Sequence, residues 1–128
     1  MKAKYNVISK GNPRDREAAP KYYPSFITNG RINERELARL IAESCTLTTV
    51  DVMAVVEGLL QILPRLIAEG YIVELGEFGS FRMRIRSKGA ESPDMVTAGY
   101  ILDILPRFTA GKEFKKVLKG ATFEKARS

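Results

Sequence analysis

The stretch Leu75-Gly76-Glu77-Phe78-Gly79-Ser80-Phe81-Arg82-Met83-Arg84-Ile85-Arg86 decides how the rest of this chain is read. Two nearby glycines predict a tight turn, and the alternation after them predicts a strand over Ser80–Arg86. Strand side chains point to opposite faces with period two. Phe81, Met83 and Ile85 therefore share one face, and Arg82, Arg84 and Arg86 share the other. Such a strand buries the first face and offers the second, where like charges repel one another, to something anionic. Phosphate contact suits that row better than a reaction does, and it would position a duplex without reading its sequence.

Upstream of this stretch, two helices are predicted. Asn33 suits an N-cap, Glu34 and Glu36 suit a first turn, and Leu37, Leu40 and Ile41 form a stripe, so a helix is expected from Asn33 to Ser44. A longer helix is expected from Thr49 to Glu69. Thr48 and Asp51 resemble a capping box at its start, and Gly70 supplies the stop. Val52, Val55, Val56, Leu59, Leu60, Ile62, Leu63, Leu66 and Ile67 make it apolar on more than one side. So small a monomer cannot cover such a helix, which implies a partner subunit. Pro64 is expected to kink it near its last turns.

Around and beyond the opening stretch, strands are expected over Tyr71–Leu75 and Tyr100–Phe108, with Pro106 at an edge or bulge. Ser87–Gly99 has too little apolar content to pack as core and reads as a projecting ribbon or loop. A short helix over Lys112–Lys119 carries Phe114, Val117 and Leu118 on one face and Lys112, Lys115, Lys116 and Lys119 around the other. Before all this, Tyr5, Val7 and Ile8 suggest a short strand, Gly11-Asn12-Pro13 a turn, and Glu17–Pro24 extended coil. Residues 1–31 are open between a structured arm and a partly mobile basic tail.

The 128-residue chain carries 21 basic and 15 acidic side chains, a net charge of +6. The charge is segregated. Residues 1–32 hold seven basic groups against two acids, residues 33–80 three against eight, and residues 81–128 eleven against five. An acidic middle between basic flanks is the pattern expected when one face meets nucleic acid. Cys45, the single cysteine, excludes an internal disulfide, fits a reducing compartment and reads as a small apolar residue near a helix end. No stretch reads as a signal peptide, and the longest apolar tract, Val52–Ile67, is too interrupted to span a bilayer. With no histidine, no metal-ligand cluster and no serine or cysteine beside an evident base, nothing supports an enzyme, a cofactor or a small-molecule substrate.

The order helix, helix, strand, strand, ribbon, strand, short helix resembles the HU and integration host factor family of bacterial DNA-bending proteins. Val73-Glu74-Leu75-Gly76-Glu77-Phe78-Gly79-Ser80-Phe81 resembles that family's strand–turn–strand signature around Gly-Phe-Gly-x-Phe. Leu105-Pro106-Arg107-Phe108 followed by Thr109-Ala110-Gly111-Lys112 resembles its closing strand and its Phe-x-Pro-Gly-Lys turn. The resemblance covers about Ile32 to Leu118. It implies an α+β fold in which a two-helix base supports a three-stranded antiparallel sheet with a projecting β-ribbon arm and a short C-terminal helix, in an intertwined homodimer.

The domain expected is 32–120, flanked by an N-terminal extension over 1–31 and a tail over 121–128. The resemblance also implies double-stranded DNA as partner, a cytoplasmic, nucleoid-associated location, and a proline near the arm tip that wedges between base pairs, here Pro93. The chain departs from the family's pattern at that tip, where Glu91-Ser92-Pro93-Asp94-Met95-Val96 stands in place of Arg-Asn-Pro-x-Thr-Gly. It departs again at Ala110, in place of the turn proline.

The DNA-contact candidates are Arg82, Arg84 and Arg86 on the strand, with Lys88 extending the row, Pro93 at the tip and Arg107 on the return strand. Gly111 and Lys112 open the last helix, whose free N–H groups can hold a phosphate, and Lys115 and Lys116 follow. Phe78, Phe81, Phe108 and Phe114 are read as core, whereas Tyr22 and Tyr23 are open between stacking and anchoring the extension. Two functions stay open: an architectural DNA-binding homodimer of low sequence specificity that bends or compacts DNA, and a dimerisation or interaction module of the same fold that has lost DNA bending and uses its extension and acid-bearing arm for a protein partner.

Overall fold

Thr48 starts the longer helix with both bonds of a capping box. The Asp51 N–H donates to Thr48 Oγ1 at 3.2 Å, and the Thr48 N–H donates to Asp51 Oδ2 at 3.4 Å. The shorter side chain of Asp51 thus does what Glu or Gln does in the usual box. This helix, α2 (Thr49–Ala68), continues through Pro64 and stops at Gly70, whose φ of 95° is one that L side chains rarely adopt. It packs against α1 (Glu34–Glu43). The structure is a computed structural model that describes residues 1–126. Among these, Ala38 of α1 and Val52 of α2 are the buried apolar residues. The rest of α2 is far from covered, with Val55 67% exposed and Leu59, Leu60 and Ile62 close to half exposed.

The chain divides into two compact units, and Glu34–Val117 is the larger. Its antiparallel sheet has the order β3 (Val73–Glu74), β4 (Gly79–Ser87), β5 (Ile101–Ala110). β3 is shorter than the strand expected over Tyr71–Leu75, because the Tyr71 N–H is drawn back to Leu66 O and the turn begins at Leu75. β4 and β5 pair from Gly79↔Ala110 to Ser87↔Ile101, so the ribbon consists of these two strands. Beyond that pair, residues 88–100 are looped rather than ladder-paired and contain two short 3₁₀ turns, Pro93–Met95 and Ala98–Tyr100. α3 (Lys112–Lys119) follows β5 directly and has the expected bounds.

Met1–Asn33 and the residues from Leu118 onward form the second unit. β1 (Ala3–Lys10) pairs antiparallel with β2 (Lys21–Ile27) and parallel with β6 (Phe123–Lys125). The extended coil expected over Glu17–Pro24 is therefore corrected: from Lys21 onward it is a ladder strand. Pro24 is tolerated because β2 is an edge strand. Within the stretch expected as a tail, residues 123–125 form the third strand, and Arg127 and Ser128 lie outside the described residues. Cys45 follows the end of α1 and is exposed rather than packed as a small apolar residue.

Candidate nucleic-acid interface

The turn that carries Gly76-Glu77-Phe78-Gly79 is built on close backbone approach. Gly79 has φ 147°, and a Cβ there would stand 2.4 Å from Thr109 O. A Cβ on Gly111 would stand 2.1 Å from Glu77 O, and the Gly111 N–H donates to Phe78 O at 2.8 Å. The two glycine motifs, far apart in sequence, thus lock onto each other. Four aromatic rings close the same junction. Phe78 meets Phe114 edge-on at 5.0 Å between centroids and Phe108 at 5.5 Å, and Phe81 meets Phe108 at 4.8 Å. The four rings expected as core do pack on one another and tie α3 to the end of the β4–β5 ribbon, but none is buried. Phe81 and Phe114 are half-buried, and Phe78 and Phe108 stay exposed because only one side of the cluster is covered.

This junction sets the register of the arginines. Counting outward from Gly79↔Ala110, Arg82 falls opposite Arg107, Arg84 opposite Leu105 and Arg86 opposite Asp103. Directly opposed residues share a face. On the other face Phe81, Met83 and Ile85 stand opposite Phe108, Pro106 and Ile104. Met83, Ile104 and Pro106 there line an apolar groove of about 380 Å³ with Leu63, Pro64 and Ile67 of α2.

All four arginines are exposed, and none makes an ion pair with a described residue. Arg82 donates one weak bond, 3.4 Å, to Ser80 Oγ. Like charges directly across a ladder destabilise it by a few tenths of a kcal/mol or more, so the Arg82–Arg107 pair leaves that face short of negative charge. Asp103 was missed from sequence: it places one acid on the basic face, opposite Arg86. The spacing of 103, 105 and 107 would have shown it once Arg107 was assigned a face.

The remaining candidates fall along the same ribbon. Lys88 sits just past Ser87, where its N–H donates to Tyr100 O at 3.0 Å and its ammonium lies 4.7 Å from the Tyr100 ring centroid. Pro93 opens the first 3₁₀ turn of the loop and is exposed, as are Met95 and Val96 beside it. At the opposite end of the ribbon lie Gly111 and Lys112. The Gly111 N–H is spent on Phe78, while its carbonyl accepts from the Lys115 N–H. The unsatisfied amides of the α3 start are those of residues 112–114. Lys112, Lys115 and Lys116 are exposed and, at i, i+3 and i+4, share one stripe of α3. The nine residues of β4 run about 27 Å, of which the arginines from Arg82 to Arg86 take up about 13 Å. Among the described residues no group of His, Cys, Asp and Glu could hold a metal ion, and no helix is long and apolar enough to cross a membrane.

A helical pair, a three-stranded antiparallel sheet and a short closing helix, with an arginine face on the ribbon, define a histone-like protein of the bacterial type. The chain belongs to the HU family: the family model described as "HU-HIG: HU domain fused to wHTH, Ig, or Glycine-rich motif" matches residues 1–125. DNA-binding protein HU of Streptococcus pyogenes is 32% identical over 89 residues, which cover 68% of this chain and 98% of that protein. The structure is similar to that of Anabaena HU in a cocrystal with DNA, with a TM-score of 0.56 and 26% identity over 70% of this chain and 99% of that one. It is also similar to a putative DNA binding protein from Bacteroides vulgatus ATCC 8482, with a TM-score of 0.66 over 96% of this chain. At 13% identity that second likeness shows the fold alone, and this chain spans 47% of that protein's length.

Proposed function

We propose that the protein is an architectural DNA-binding protein that works as a homodimer, binds duplex DNA with little sequence specificity, and bends or compacts it. The observation that carries this reading is the arginine face, with Arg82 set against Arg107, Asp103 as an acid opposite Arg86, and no ion pair to any of the four arginines among the described residues. Arg84, Arg86 and Lys88 extend it toward the loop, and Lys112, Lys115 and Lys116 continue it on α3. From Arg82 to Arg86 the face runs about 13 Å, which matches roughly four base pairs at about 3.4 Å each. Backbone contacts of this kind supply affinity without base readout. In this reading Pro93 is the exposed apolar group placed to wedge between base pairs, with Met95 and Val96 beside it. The cocrystal of the related Anabaena HU with DNA supports the same partner here, and a nucleoid-associated, cytoplasmic location follows from that partner.

Exposed area supports the dimer. The chain exposes 11194 Å² at a mass of 14.3 kDa, whereas a folded monomer of that mass exposes roughly 6,800 Å². Treating the two units as separate bodies raises the expectation only to roughly 8,000 Å². The surplus, about 3,000 Å² per chain, is on the scale of an obligate interface, and the uncovered face of α2 contributes to it. A second reading, an interaction module that grips a protein, rests on Glu91 and Asp94 flanking the exposed apolar tip.

The test is a fluorescence titration of a random-sequence duplex of about 30 base pairs at several salt concentrations, with wild type and with the Arg82→Glu, Arg84→Glu double variant. Tight binding at low salt that weakens steeply with salt is expected of wild type. The variant should lose at least a hundredfold in affinity while keeping its dimeric mass. Absence of wild-type binding at low salt would overturn the DNA reading and leave the interaction module.

A further inference from the structure

We propose that the β2–β1–β6 sheet is a second nucleic-acid surface, one that takes the unpaired bases of a single strand on its aromatic face. This goes beyond the duplex reading and does not rest on it.

The register assembles that face from distant parts of the chain. Tyr5 stands opposite Phe26, Val7 opposite Pro24 and Ser9 opposite Tyr22, while Phe123 of β6 lies beside Ala3. Tyr5, Tyr22, Phe26 and Phe123 therefore share one side, where they line a groove of about 750 Å³. Tyr22 and Phe26 are each 70% exposed and Phe123 is 56% exposed. A sheet face this rich in aromatic rings, left open, needs an occupant.

Charge selects the occupant. The unit made of Met1–Asn33 and the residues from Leu118 on carries ten basic side chains against three acids, a net of +7. Glu34–Val117 carries eleven against twelve, a net of −1. The whole positive excess of the chain thus belongs to the smaller unit rather than to the one with the arginine face. Two such faces from two copies would bring +7 against +7, which opposes self-docking. A single strand answers both properties at once, because bases stack on aromatic rings whatever their identity while phosphates seek cations. Lys125 stands beside Tyr5 on the aromatic side. Lys4, Lys10 and Lys21 line the opposite side, about a Debye length away. Arg14 and Arg16 are exposed in the connection between β1 and β2.

The test uses the full chain and fluorescence anisotropy with three labelled probes: a 20-nucleotide oligothymidylate, an abasic strand of equal length and charge, and a 30-base-pair duplex. Wild type should bind the oligothymidylate at least tenfold more tightly than the abasic strand, since one stacked base is worth roughly five- to 150-fold. The oligothymidylate should also quench tyrosine emission, which is visible because the chain has no tryptophan. Tyr22→Ser with Phe26→Ser should weaken oligothymidylate binding tenfold or more and change duplex binding less than twofold, whereas Tyr22→Phe should keep both. Equal affinity of wild type for the base-bearing and abasic strands overturns the proposal, and this comparison stands even if the double variant does not fold. So does loss of oligothymidylate binding in Arg82→Glu, Arg84→Glu, which would assign the bases to the arginine face. A double variant that binds oligothymidylate normally but changes its mass by light scattering also overturns it, in favour of a protein interface.

Discussion

Gly79 and Gly111 are irreplaceable for different physical reasons. Gly79 combines a φ of 147° with a close approach, whereas Gly111 is excluded by contact alone, with Glu77 O occupying the place of any Cβ. Gly111→Ala must push the turn away from the β5 end and separate Phe114 from Phe78. It is expected to cost on the order of 3 kcal/mol, seen as a lower denaturation midpoint, and to shift the register that sets Arg82 against Arg107. On α1, Arg39 reaches both Glu36 and Glu43 in charge-assisted bonds. The Arg39 hydrogen bond holds the Glu36 carboxyl below its ordinary range, and the arginine itself is raised. A depressed carboxyl contributes stability above its unfolded pKa and loses that contribution as pH falls through the lowered folded value. Because the pair is exposed, the effect on stability is small. The sharper readout is the Glu36 titration by NMR, whose midpoint should rise toward the ordinary value in Arg39→Met.

The elements show where local sequence suffices and where it does not. α2 was legible because its cap, stop and apolar repeat are all local: Thr48 and Asp51 lie three residues apart, and Gly70 ends the run. α3 was legible from the alternation of Phe114, Val117 and Leu118 with the lysines. The arginine row of β4 was equally plain, since period two needs no partner strand. Its pairing with Arg107 and Asp103 was not, because register depends on how Gly79 meets Ala110 across residues 88–100. The β2–β1–β6 sheet was the least legible. β2 contains a proline, β6 has three residues, and the parallel pairing of Ala3 with Phe123 joins the two ends of the chain without any local signal. What α2 leaves open carries its own prediction. Val55, Leu59 and Ile62 form an exposed stripe at i, i+4 and i+7, which the proposed homodimer would cover. Leu59→Glu should place an unpaired charge in that interface and reduce the mass measured by light scattering from dimer to monomer or unfold the chain. A variant that remains a stable dimer would remove α2 from the interface.

For the molecule as a whole, the division of charge separates long-range attraction from specific contact. Glu34–Val117 is nearly neutral, so in the proposed function its hold on a duplex would come from the local row of Arg82, Arg84, Arg86 and Arg107 rather than from net charge. The two sources respond differently to salt. A cation that neutralises a phosphate releases a condensed counterion, and each such contact adds about 0.9 to the slope of log K against log salt concentration. In a symmetric dimer every arginine counts twice. Arg107→Ala should therefore make the slope for a duplex shallower by about 2, beyond whatever it does to affinity at one salt concentration. Lys10→Ala, which removes the same charge from the smaller unit, should leave the slope for a fully paired duplex within about half a unit if only released counterions count. An unchanged slope in Arg107→Ala would mean that Arg107 faces solvent, and that the close approach to Arg82 is tolerated rather than used.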